Sequence, residues 1–314
     1  MIIIRSVMQG TPQTATPPLF CSQESNENNE SLIGTAPRAD VWFLLEYHGR
    51  WGKKALAESD IPTEVKNHLN KQLELIPESR VLLIKQPREV NIRGFAFFAA
   101  VASAIPPTLY RFQLNDYDDL LSYDLVSIVA QKPEYDDNIA KEPVFVNCTN
   151  GLRDQCCALH GVPTYWALEK HFPGKVWEST HHGGHRFAAN FMYLPDGLSY
   201  GRLRKENAAG VLQAALDGNI ALNHFRGRTI YNEPIQAAEI LLRKELNLTG
   251  IDAVRVTRAQ ELEPKRWRVD IEANERSNEL LVEQQDTGNR VHLSCGDEKT
   301  SPVVDYRLVS RQTA

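Results

Sequence analysis

Three cysteines within ten residues (Cys148, Cys156 and Cys157), followed by the run His181-His182-Gly183-Gly184-His185, constrain this 314-residue chain more than any other feature. Cysteine thiolate and neutral imidazole are the main soft and borderline ligands for zinc and iron. A fold that uses them must bring both runs to one place. The remaining two cysteines, Cys21 and Cys295, are far away in sequence and read as single, inert thiols. An odd count, crowded into one stretch, argues against a disulfide framework and for metal or thiol chemistry in a reducing compartment. His181 and His185 are four apart and would share a face on a helix. The two glycines between them favour a tight loop instead, one whose backbone N–H groups can approach a sulfur acceptor closely.

The pattern of the chain predicts where these runs sit. Residues 1–39 are rich in Thr, Pro, Ser, Asn and Glu without a period and read as a polar arm. An N-terminal α/β unit is expected over 40–135. It has a strand at Val41–Tyr47, a helix at Pro62–Leu75 with Val65, Leu69 and Leu73 every four residues, and strand-like runs at Val81–Lys85, Gly94–Ala102 and Leu109–Leu114. The charged stretch Lys132–Glu142 reads as a linker. A second unit, 143–222, begins with a buried strand at Val144–Asn147. A loop from Cys148 to Gly161 follows, then a helix at Pro163–Phe172, a strand at Val176–Ser179 and a loop at Thr180–His185. A hairpin turns on Pro195-Asp196-Gly197 between Phe191–Leu194 and Leu198–Leu203, and a helix closes the unit at Glu206–Leu216. The order β-α-β-β-β-α is that of a minimal thioredoxin-like domain, and element order alone would fit the N-terminal unit as a degenerate copy. Residues 223–314 read as a small α+β appendage: a helix at Glu233–Leu246, then strands at Ala253–Arg258, Trp267–Glu272, Glu279–Glu283 and Arg290–Cys295. Both metal-ligating runs therefore fall at the C-terminal ends of predicted strands, the edge of an open α/β sheet where sites collect.

Composition narrows the function. Hydrophobic residues make up 42% and charged residues 24%, as in an ordinary globular protein, and the formal charge of −5 is a poor match to nucleic acid. The longest apolar stretch, Gly94–Pro107, is too short to span a membrane. No secretory or transit pattern opens the chain, so a cytoplasmic location is expected. The chain has no Gly-x-Gly-x-x-Gly loop, no P-loop and no Gly-x-Ser-x-Gly elbow. A self-contained oxidoreductase with its own flavin, NAD or ATP site is not indicated.

Simpler readings compete residue by residue. Cys148 alone would be a small buried hydrophobe at a strand end. Together with Cys156, Cys157 and the His181/His185 pair, metal becomes the better reading. Two histidines separated by three residues suit zinc, whereas the eight-residue gap from Cys148 to Cys157 is wider than the usual zinc pair, and the residues by themselves leave zinc and iron–sulfur open. Cys156-Cys157 could also be a vicinal redox dithiol, although it is not Cys-x-x-Cys. His182 is expected to be solvated. Arg153 and Arg186 fit either tuning of a metal site or structural pairing with a carboxylate. Tyr200 and Arg202 are expected to pack and solvate the hairpin.

The segments Cys148…Arg153-Asp154-x-Cys156-Cys157, Thr180-His181-x-Gly183-Gly184-His185-Arg186-Phe187-Ala188-x-Asn190 and Tyr200-Gly201-Arg202 resemble the sucrase/ferredoxin-like family. So do the earlier stretches Cys21-Ser22…Ser31-Leu32-Ile33-Gly34-Thr35-Ala36, Trp42–Glu46 and Trp51-Gly52. This family comprises thioredoxin-like ferredoxins, including fungal actin-patch-distribution proteins. The resemblance implies a one-electron carrier with a 2Fe–2S cluster on Cys148, Cys157, His181 and His185, with Cys156 as the alternative to Cys157. Electrons would pass to and from a partner protein or small molecule. Two neutral imidazoles in place of two thiolates make the oxidised cluster less negative, so its potential rises. Two-iron centres with a pair of histidine ligands span about −150 to +300 mV, against roughly −400 mV for plant-type ferredoxins. The free imidazole nitrogens would make that potential pH-dependent. A zinc-binding structural or interaction module without redox activity is the alternative from a different class.

Overall fold

Val41–Glu46 (β1) is buried at every position, as a strand with apolar matter on both faces must be. The computed structural model of the protein describes residues 20–87 and 94–313. A short helix, Cys21–Glu27 (α1), precedes β1, so residues 20–39 are not the free arm expected; residues 1–19 of that segment lie outside the described part. Tertiary contacts hold the segment down: Ser22 Oγ is 3.0 Å from His160 Nε2, and Arg186 donates to Glu30 at 2.8 Å.

Thr63–Leu75 (α2), Ser79–Lys85 (β2), Phe95–Val101 (β3), Thr108–Leu114 (β4) and Leu125–Val129 (α3) complete the first half. The stretch read as a linker carries a 3-10 turn, Pro133–Asn138, and Tyr135 packs edge-on to Phe112 with ring centroids 6.1 Å apart. The second half runs Val144–Cys148 (β5), Gln155–His171 (α4), Val176–Ser179 (β6), Phe191–Leu194 (β7), Leu198–Tyr200 (β8), Ala208–Leu216 (α5) and Phe225–Arg228 (β9). Helix α4 starts well before Pro163, which lies inside it. The predicted loop from Cys148 to Gly161 is therefore helix over its second half, from Gln155. Asp154 caps α4 by accepting from the Cys156 N–H at 2.9 Å, and burial of Cys157, Gly161, Tyr165 and Leu168 outweighs the proline's missing N–H.

Nine strands form one mixed sheet in the order β4-β3-β1-β2-β6-β5-β7-β8-β9. In the first half β1 pairs parallel with β2 and antiparallel with β3, which pairs antiparallel with β4. The second half repeats this connectivity: β5 is parallel to β6 and antiparallel to β7, and β7 to β8. The halves meet where β2 and β6 pair antiparallel over Ile84–Ser179 and Lys85–Glu178. Phe98 on β3 and Trp177 on β6 are three strands apart in this order, roughly 14 Å in a flat sheet. Their ring centroids are nevertheless 5.7 Å apart. The inner faces of the two halves share one core that includes Trp42, Leu44, Val146, Trp177 and Met192. The outer faces have separate cores, one under α2 and α3 and one under α4 and α5.

Strand β9 is not visible as a strand in the sequence because Phe-Arg-Gly-Arg looks like a polar turn. Its arginines are buried, and Arg228 is ion-paired. Arg228 Nε donates to Glu239 Oε1 at 3.1 Å and Arg243 Nε donates to the same oxygen at 2.9 Å. Both Arg228 and Arg243 also donate to the carbonyl of Ile251. Glu239 and Arg243 lie on Glu233–Leu246 (α6), which packs on a separate antiparallel sheet of four strands: Val254–Glu263 (β10), Arg266–Ala273 (β11), Arg276–His292 (β12) and Thr300–Thr313 (β13). The predicted strands at Glu279–Glu283 and Arg290–Cys295 are parts of one long β12 and the loop beyond it, and β13 is an addition to the strands expected. The β12–β13 hairpin reaches back to α1, where His292 N–H donates to Glu24 Oε2 at 2.8 Å.

Burial, reinforced by Arg204, pushes the pKa of half-buried His160 down to about 4. The ordinary value near 6.5 holds in the unfolded chain. Between these values the unfolded chain binds more protons, so stability declines as pH drops below about 6.5, and the loss is complete below about 4. At full weight the shift is worth about 3 kcal/mol, and partial exposure reduces it to roughly half. Urea midpoints at pH 7 and pH 5 should differ less in His160→Gln than in the parent protein. An equal difference would remove His160 from the account.

Candidate metal centre

Cys148 ends β5, and its N–H donates to Asn190 O at 3.0 Å. Cys156 and Cys157 occupy the first turn of α4. Gly161 sets the distance between these two elements. A Cβ there would lie 2.0 Å from the Cys148 carbonyl oxygen, so only glycine lets α4 seat directly on β5. Asn147 reinforces the contact by donating to Gly161 O at 2.9 Å. Gly161→Ala is expected to lever α4 off β5, lower stability by about 1–3 kcal/mol and reduce metal retained per chain. Unchanged metal content with an unchanged melting temperature would contradict this.

The loop after β6 supplies the histidines. Gly183 and Gly184 both have positive φ, +123° and +74°, and turn the chain so that His181 and His185 face each other. His181 Nδ1 lies 3.5 Å from Cys157 Sγ and 3.8 Å from Cys148 Sγ, and His181 Nε2 lies 3.1 Å from His185 Nδ1. The buried Arg226 clamps this loop, donating to Gly183 O at 3.1 Å and Asn190 Oδ1 at 2.8 Å, while Asn190 donates to Gly184 O at 2.8 Å. A Cβ on Gly184 would meet the Arg226 guanidinium at 2.3 Å.

Cys148, Cys157 and His181 thus bring their donor atoms together, while His185 meets the far ring nitrogen of His181 and lies 3.9 Å from Asp154 Oδ2. Hydrogen bonds from Cys157 and His181 hold the Cys148 thiol far below its ordinary value, and the same contact with Cys148 raises Cys157. Burial lowers His185 to about 4, so its imidazole is neutral at neutral pH. His181 also borders a cleft of about 140 Å³ with Lys53, Leu56, Asn150 and Arg153 along its wall.

Cys156 points elsewhere. Its sulfur lies 3.6 Å from Cys21 Sγ and 3.3 Å from Cys295 Sγ, with the Asp154 carboxylate alongside. The hydrogen bond from Cys21 lowers Cys156 to about 6. Cys21 and Cys295 are therefore not isolated thiols. Both groups, Cys148/Cys157/His181 and Cys21/Asp154/Cys156/Cys295, have donor atoms close enough together to hold a metal ion.

The model of the sucrase/ferredoxin-like family matches residues 32–227, well over half of the chain. The chain belongs to the sucrase/ferredoxin-like family. No curated protein and no solved structure matches it. In this sucrase/ferredoxin-like chain the match encloses Cys148, Cys156, Cys157, His181 and His185, whereas Cys21 and Cys295 lie outside it.

Other expectations change with the structure. His182 is buried, not solvated, and among the described residues neither ring nitrogen has a hydrogen-bond partner; burial pushes it down to about 4. Arg186 pairs with Glu30 and lies over the Phe187 ring at 4.4 Å. Arg202 is not a solvated hairpin residue: it donates to Glu30 O at 2.6 Å and Ser25 Oγ at 3.1 Å. Arg226 escapes the sequence reading because it lies outside the recognisable motif, and a buried arginine has no local signature. Among the described residues no helix is long and apolar enough to cross a membrane.

Proposed function

We propose that Cys148, Cys157, His181 and His185 hold a 2Fe–2S cluster and that the protein is a one-electron carrier. The observation that carries this reading is the meeting of two buried cysteines with a facing pair of histidines in a chain whose family is named for ferredoxin. The donor set fits: thiolate and imidazole are both established ligands of two-iron clusters, and the neutral His185 supplies a lone pair. When bound, the cluster takes up and releases one electron at a time at a potential above that of all-cysteine ferredoxins. The repeated connectivity of the two sheet halves supports two thioredoxin-like units, the second carrying the site and the first its degenerate copy.

The protein's own residues then have distinct tasks. Arg226 and Asn190 hold the His181–His185 loop at a fixed distance from β5. Gly161 and Asn147 hold the first turn of α4 against Cys148. Burial of Cys148, Cys157 and His185 keeps water from the inner side. His181 lies at the solvent cleft, so a redox partner approaches from the rim that bears Lys53 and Arg153.

Protein purified without oxygen should contain two irons and two acid-labile sulfides per chain, be brown, and bleach on reduction. Its midpoint potential should fall as pH rises once a ligating imidazole loses its second proton. A colourless protein holding zinc, with failed reconstitution by iron and sulfide, would replace the electron carrier with a zinc-binding structural module.

A further inference from the structure

The second cysteine group gathers around Cys156 in the first turn of α4 and adjoins the first group where His185 Nε2 lies 3.9 Å from Asp154 Oδ2. Its members come from three distant parts of the chain: Cys21 opens α1, Asp154 and Cys156 flank the start of α4, and Cys295 follows β12. The three sulfurs form a triangle with sides of 3.6, 3.3 and 3.6 Å. Asp154 Oδ1 lies 3.2 Å from Cys295 Sγ and 3.8 Å from Cys21 Sγ.

We propose that Cys21, Cys156, Cys295 and Asp154 form a second, separate metal site that binds one tetrahedral divalent ion, zinc. Four-coordinate zinc with Zn–S near 2.3 Å has sulfur–sulfur edges of about 3.8 Å. The observed triangle is within about half an ångström of that spacing before any ion draws the ligands into place. A two-iron cluster divides its terminal ligands between two metal atoms, which a single closed triangle of sulfurs does not offer. Disulfide pairing would leave one thiol over.

The surroundings are those of a supported site. The Asp154 carboxylate is 4% exposed beside Cys21, Cys156 and Cys295, with His185 Nε2 3.9 Å from its Oδ2. Its orientation is set by the N–H of Cys156 at 2.9 Å, the N–H of Cys295 at 2.8 Å and Ser294 Oγ at 2.8 Å. Such outer contacts aim a ligating carboxylate and raise affinity. Cys156 Sγ also meets Ser22 Oγ at 3.1 Å. The ion would pin the turn between β12 and β13 to α1 and α4, adding to the contact of His292 with Glu24.

This site does not depend on the 2Fe–2S reading, because the two share no proposed ligand. Metal analysis of the full-length protein should find one zinc per chain in addition to iron. Cys21→Ser and Cys295→Ser should lose the zinc and keep the iron, and Cys148→Ser should do the reverse. Asp154→Asn, which keeps a capping oxygen, should bind zinc more weakly. Cobalt exchanged into the unaltered protein should give tetrahedral ligand-field bands and a thiolate charge-transfer band. Chelating the zinc should speed cleavage by protease within residues 293–299 roughly tenfold, as the turn opens. If the cysteine variants do not fold, the metal count and the cobalt spectrum of the unaltered chain still decide. Absence of zinc and of cobalt bands, with all three cysteines alkylated readily in the native state or two of them found as a disulfide, would overturn the site. A third iron in this position would overturn the assignment to zinc.

Discussion

Cys157→Ser protein is expected to be purified without visible colour and with less than about a tenth of the iron of the parent protein, while Cys156→Ser protein keeps both. The two sulfurs are neighbours in sequence but diverge by the turn of a helix. Cys157 lies 3.5 Å from His181 Nδ1, whereas Cys156 lies among Cys21, Cys295 and Ser22. Serine keeps the size of the side chain and removes the soft ligand, so both variants should fold. Iron content and the reduced-state electron paramagnetic resonance signal read the difference. Iron lost from Cys156→Ser and retained in Cys157→Ser would reverse the assignment and place the cluster at Cys156.

The largest stability effect is expected at Glu239, far from either cysteine group. Glu239 is 1% exposed and accepts from two guanidiniums, those of Arg228 on β9 and Arg243 on its own helix. Glu239→Ala leaves two buried cations facing each other without a counter-charge. Removing one partner of a buried ion pair costs about 3–5 kcal/mol. A chain of this size should then melt roughly 10 °C lower. Because Arg228 and Arg243 both donate to Ile251 O, the loss should loosen the seat of α6 between the two sheets. Replacing Glu239, Arg228 and Arg243 together with apolar residues should recover much of the stability. A melting temperature within about 2–3 °C of the parent for Glu239→Ala would show that solvent reaches the guanidiniums.

What could be read in the sequence was local. The apolar run Val41–Leu45 of β1, the four-residue spacing of Val65, Leu69 and Leu73, and the hairpin at Pro195-Asp196-Gly197 each carry their signal within a few residues. The runs around Cys148 and His181 are equally compact, which is why Cys148, Cys157 and His181, whose donor atoms come together, could be named as candidates before the fold was known. What stayed hidden depends on residues brought from afar. Cys21 and Cys295 are 274 positions apart, and nothing near either indicates that Cys156 lies between them. Arg226 secures a loop 43 residues upstream. Pro163 made α4 look short, because local propensity favours a helix start at proline while the burial of Cys157 and Gly161 is a tertiary effect. The two arginines of β9 hid a strand because their partners are distant: Arg228 pairs with Glu239 on the helix that follows, and Arg226 donates to Gly183 O and Asn190 Oδ1.

The short pairing of β2 with β6 also bears on how the chain behaves outside its intact form. Within the nine-strand sheet only β4 and β9 are terminal strands, so the edge of β6 is spoken for by the other half. Thr180 strengthens the seam in both directions, its N–H donating to Leu83 O at 2.9 Å and its hydroxyl accepting from the Leu83 N–H at 3.1 Å. A fragment beginning near Pro143 would present β6 as an open template with Trp177 on its face, ready to recruit a second molecule by strand addition. The first half thereby covers the strand edge through which the second would otherwise associate.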